Sequence, residues 1–141
     1  MISSDLTIVL HSMDDQKIDE LLQLFTDVEL TVSLPPRTGL VMLTVQDSLA
    51  TAFHVGEVLV TEARVLCHGS EGYGLVAGDA PRRALARAAA DAVLRCPEAP
   101  GIRQALQSLL HEEELRQNKR QADQAALVAA TKVNFDLMPG A

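Results

Sequence analysis

The chain has 141 residues, 48% apolar and 22% charged, a globular composition that excludes disorder over its whole length. Its formal net charge of −7 repels phosphate backbones and anionic lipid. One Tyr, three Phe and no Trp leave few platforms for stacking bases, so neither nucleic acid nor a membrane is expected as a partner.

Residues 1–27 read as a helical N-terminus. Leu6, Val9 and Leu10 form a stripe in a helix over 4–12, and Ile18, Leu21, Leu22 and Phe25 form another over 14–26. This end is acidic: up to residue 36 the only basic side chain is Lys17, against seven Asp and Glu. From 28 to 78 the pattern turns to strands. Val28, Leu30, Val32 and Leu34 alternate with polar residues, and Pro35-Pro36 should stop that strand. Leu40 to Val45 form the next, Phe53 to Val65 follow with a break at Gly56, and Tyr73, Leu75 and Val76 form the last. Links this short join antiparallel neighbours, so the expected fold class is α+β, with an antiparallel meander of four to five strands.

Residues 79–96 read as a helix capped by Asp79, with Pro81 in its first turn. It is rich in Ala. Leu85, Ala88, Ala89 and Ala92 make a face for the sheet, while Arg83, Arg87 and Asp91 lie on an exposed one. Residues 101–131 read as one helix, about 45 Å long at 1.5 Å per residue, opening a C-terminal arm that runs to 141. Its stretch from His111 to Gln121 is almost wholly polar. The return to Ala and Val after Ala122 is too apolar for water: it either folds back onto its own sheet or, the favoured expectation, forms an arm covered by another chain. The whole is expected to be a single domain, 1–141, in the cytoplasm: no basic leader precedes the first apolar residues, and no run approaches the roughly 20 needed to span a bilayer.

Chemistry is sparse. Cys67 and Cys96 form no CxxC pair, and His11, His54, His68 and His111 are scattered, so no metal or other cofactor is expected in this chain. No catalytic residue emerges. Gly69, Gly72, Gly74 and Gly78 precede a helix with Arg82 and Arg83 one turn in, which permits an alternative reading as a small phosphate-binding enzyme using the Gly69–Gly78 region. The spacing matches neither phosphate-loop pattern. A stand-alone homodimeric binding or adaptor domain is a third possibility.

Several segments, taken in order, resemble the G subunit of the bacterial carbon–phosphorus lyase system: Thr38-Gly39-Leu40-Val41, Phe53, the run Gly56 to Val65, Gly72-Tyr73-Gly74 with Gly78, the Ala-rich helix with Asp91-Ala92, and Ala130 to Phe135 with Met138. The final residues depart from the family, which tends to end in a second aromatic and Arg-Gly where this chain has Asp136 to Ala141. The resemblance implies a subunit of a core complex with H, I and J subunits, acting functionally with the L subunit. Such a complex forms α-D-ribose 1-methylphosphonate 5-triphosphate from ATP and methylphosphonate, releasing adenine. The chain would thus be an obligatory but non-catalytic part of a transferase. The family supplies no catalytic residue to carry over. Gly72, Tyr73, Arg83, Asp91, Thr131, Lys132, Val133 and Phe135 are candidates for structural or interface roles.

Overall fold

The computed structural model describes residues 3–133. Helices α1 (Ser3–Ser12) and α2 (Asp15–Leu24) lead into strands β1 (Leu30–Gln46), β2 (Ala52–Cys67) and β3 (Ser70–Ala77). Helices α3 (Pro81–Arg95) and α4 (Pro100–Ala130) complete the order. The fold class is α+β with an antiparallel sheet, as expected. The sheet has three strands in the order β1-β2-β3 instead of four or five.

The missing breaks have a physical cause. Pro35 and Pro36 lie within a single 17-residue strand, because β1 is at the sheet edge and the chain absorbs them as register shifts between Val32 and Arg37. Gly56 likewise sits inside β2 beside a bulge, since the register steps between Leu43 and Thr44 and leaves Val55 unpaired. The β2–β3 link is a two-residue turn, His68-Gly69, with φ of 45° and 85°. Positive φ at both positions matches the twist of the flanking strands.

Helix α3 is the centre of the molecule. The sheet covers one side of it, and α1, α2 and α4 pack around the other. From Ala84 to Val93 every residue except Leu85 is buried. A helix enclosed on all sides must keep its neighbours close, and alanine permits that. The exposed second face expected for Arg87 and Asp91 is therefore absent: both are buried. The cap also differs. Asp79 lies outside the helix and Ala80 stands at the N-cap without a side-chain bond. Thr61 on β2 substitutes for it. Its hydroxyl accepts the Ala80 N–H at 3.0 Å and donates to the Gly78 carbonyl at 2.6 Å.

Candidate interaction surfaces

The start of α3 is where the phosphate reading would place its ligand. An open cavity of about 300 Å³ lies there between Asp15, Asp19, Asp79, Arg82 and Arg83. Both arginines already have partners. Arg82 pairs with Asp19. Arg83 donates to Asp15 at 2.8 Å, to the Met13 carbonyl at 2.8 Å and to the Leu10 carbonyl. Arg83 thus serves the end of α1, where it satisfies carbonyls that a helix terminus leaves open. Three aspartates at the rim oppose an anion. Among the described residues no three His, Cys, Asp or Glu side chains are grouped to hold a metal ion.

Gly72, Tyr73 and Asp91 come together where β3 meets α3. A Cβ at Gly72 would collide with Ala88 O and Ala92 N and lie 2.8 Å from Ala92 Cα; one at Gly74 would collide with Ala84 O. These glycines let the strand touch the backbone of α3 along the Ala84, Ala88, Ala92 ladder. Between them, the Tyr73 amide donates to Asp91 Oδ2 at 3.1 Å. Arg87, whose guanidinium donates to Thr7 Oγ1 and the Tyr73 carbonyl, lies 3.7 Å from Asp91 Oδ1. Arg95 donates to the same oxygen at 3.1 Å. This cluster ties β3, α3 and α1. The Tyr73 side chain points away from α3, with its hydroxyl donating to Glu62 at 3.0 Å and Arg64 over its ring at 5.4 Å. Burial and the Glu62 carboxylate raise the phenol pKa, while Arg37 and Tyr73 hold the Glu62 carboxyl below its usual range.

Beyond Thr61 the β1–β2 hairpin leaves the body. β3 ends at Ala77, opposite Val60, and α3 begins at Pro81. The hairpin continues to a turn at Asp47, whose carboxylate accepts the amides of Leu49 and Thr51 at 2.9 Å. Pairing sets Leu40 opposite Leu59, Met42 opposite Glu57 and Thr44 opposite His54, on the side continuous with α3. The other side carries Gly39, Val41, Leu43, Val45, Val58 and Phe53. Leu40 is 63% exposed, and Val41, Met42, Leu43, Phe53, Val58 and Leu59 are also exposed. Both faces of this arm are therefore apolar and open. Sequence reading missed it, although Thr38 to Leu59 contain only two charged residues, Asp47 and Glu57, and lack the polar alternation of a half-solvated strand.

Helix α4 makes the second projection. Its first half packs through Leu106 and Leu110, and the polar stretch that follows does not break it. Glu113, 4% exposed, accepts bonds from Arg116 and Gln117 at 2.8 Å. Arg116 continues to Asp14, and Gln117 donates to the Val9 carbonyl. Burial pushes the Glu113 carboxyl up, but those bonds outweigh it and hold its pKa below the usual range. From Asn118 to Val133 every residue is exposed, with Leu127 at 68% and Val128 at 70%. Thr131 closes the helix by donating to the Val128 carbonyl at 3.0 Å; Lys132 and Val133 follow in the open. Phe135 lies outside the described residues.

The fold and its surfaces define an α+β protein whose small core carries two apolar projections. The chain belongs to the family described as phosphonate metabolism protein PhnG, whose family model matches residues 4–140. Membership places the protein in phosphonate metabolism. No curated protein matches the chain.

Proposed function

We propose that this chain is a non-catalytic subunit of a carbon–phosphorus lyase core complex, assembled with H, I and J subunits. With the H, I and L subunits it supports formation of α-D-ribose 1-methylphosphonate 5-triphosphate from ATP and methylphosphonate, with loss of adenine. Family membership supports the pathway. The observation that carries the subunit role is the hairpin arm, a two-faced apolar ribbon outside the core. Contiguous apolar surface beyond a few hundred Å² marks an interface in a soluble protein. The face of Gly39, Val41, Leu43, Val58 and Phe53 has no charged side chain and offers a smooth bed to another subunit.

The test is co-expression with a candidate I subunit, read by mass and by adenine release. The isolated chain should release no adenine from ATP and methylphosphonate, while the assembled complex should. Val41→Asp with Phe53→Asp should abolish co-purification with the I subunit and leave the circular dichroism spectrum unchanged. Adenine release by this chain alone, or full assembly of the double variant, overturns the reading.

A further inference from the structure

Asp14 holds the N-cap position of α2 and does not cap it. Its backbone lies in the extended region usual for an N-cap, with φ −66° and ψ 151°, and its carbonyl accepts the Ile18 amide at 3.0 Å. An aspartate so placed ordinarily turns its carboxylate onto an amide two or three residues on, here Gln16 or Lys17. In this molecule no side-chain cap bond forms. The carboxylate turns to α4, where Oδ2 accepts from Arg116 at 3.1 Å and lies 3.9 Å from Arg120. Up to Leu110, buried apolar side chains hold α4, and from Asn118 onward every described residue is exposed. Between these stretches polar contacts tie α4 to the first two helices: Gln117 to the Val9 carbonyl, and the two arginines to Asp14.

We propose that Asp14 is a two-position latch: in one position it holds α4 through Arg116 and Arg120, and in the other it caps α2 while the distal half of α4 turns about the contacts of Leu106 and Leu110. The side chains of Asp14, Arg116 and Arg120 are about half exposed, and ion pairs that solvent reaches contribute little net stability. A capping bond is of comparable size. The carboxylate therefore has two places of similar free energy. Release gives α2 a bond that the closed state withholds, which offsets the lost ion pairs. It leaves one neutral bond to the body, from Gln117, against a lever of about 20 Å from there to Ala130. The latch uses neither face of the hairpin, so it stands apart from the heteromeric reading above.

Spin labels on the full chain at Leu127→Cys and Glu29→Cys, both exposed positions, read the arm against the body; Cys67 and Cys96 are buried and stay unlabelled. With Asp14 and both arginines intact the distance distribution should be single and narrow. Arg116→Gln with Arg120→Gln, where the new amide at 116 keeps a donor for Glu113, should broaden it. In the same variant, hydrogen exchange at the Gln16 or Lys17 amide should slow about fivefold, the ratio one capping bond supplies. Asp14→Ser, which caps without a charge, should broaden the distribution and show the same slow exchange. Asp14→Ala should broaden it with no slowing. A distribution unchanged by the arginine substitutions overturns the latch. Broadening with exchange unchanged at both amides overturns it too, since Asp14 then does not return to α2. A loss of helix content by circular dichroism in the arginine variant does the same, because the arm has then melted instead of turned.

Discussion

Alanine at Gly72 tests the packing on which the whole core depends. The added carbon would overlap Ala88 O and Ala92 N and sit 2.8 Å from Ala92 Cα, all of them backbone atoms in the middle of α3. None can rotate away as a side-chain tip would, so strand and helix must separate by about 1 Å. A gap of that size forfeits a quarter to a half of each contact's attraction, and overpacking in cores costs about 1–3 kcal/mol. With rigid backbone on both sides we expect the upper end, about 3 kcal/mol, from a total near 5–15 kcal/mol. The melting temperature should fall by about 10 °C, taking roughly 3–4 °C per kcal/mol for a chain of this size. Urea unfolding should show a lower midpoint at unchanged slope. Gly39→Ala is the control, since nothing lies within 4 Å of its new carbon, and it should be neutral or slightly stabilising. A Gly72→Ala loss below about 1 kcal/mol, or equal losses at both sites, refutes the close approach of α3 and β3.

Asp91→Ala leaves the Tyr73 amide and the buried Arg87 without this carboxylate, and should cost about 3–5 kcal/mol by denaturant titration. Asp91→Asn, which keeps an acceptor for the amide, should cost less. The depressed Glu113 carboxyl stabilises the fold above its unfolded pKa, and that contribution is lost as pH falls through the lower folded value. Wild type should thus exceed Glu113→Gln in urea midpoint at pH 7, with the gap closing below about pH 4. Burial, together with Cys96, pushes the Cys67 thiol up to about 11. An aromatic disulfide reagent at pH 8 should therefore find no reactive thiol until urea unfolds the chain, then two.

Much of the architecture lies in short-range pattern. The spacing of Leu6, Val9, Leu10, Ile18 and Leu21 places two helices, and all five residues are buried in the core. The alanine content and Pro81 place α3, and the run after Gly101 places α4 within a residue or two at each end. Local rules of this kind succeed because helix formation depends on neighbours three and four positions away. The resemblance to the G-subunit family, running through nearly the whole chain, is also legible, and the family match over residues 4–140 bears it out.

Long-range partners set the rest. Pro35-Pro36 signals a strand end only if the missing N–H is needed, and an edge position on β1 removes that need. Arg87 and Asp91 read as a solvated pair because nothing local shows that α1 will close over them; the Thr7 hydroxyl arrives from eighty positions away. Arg83 carries a phosphate-site signal in one dimension and serves the carbonyls of α1 in three. Sequence fixes which segments are helix, strand and apolar, through contacts a few residues apart. Burial is a property of every layer at once, so only the folded chain decides which apolar segments are enclosed and which, like the hairpin and the end of α4, remain outside.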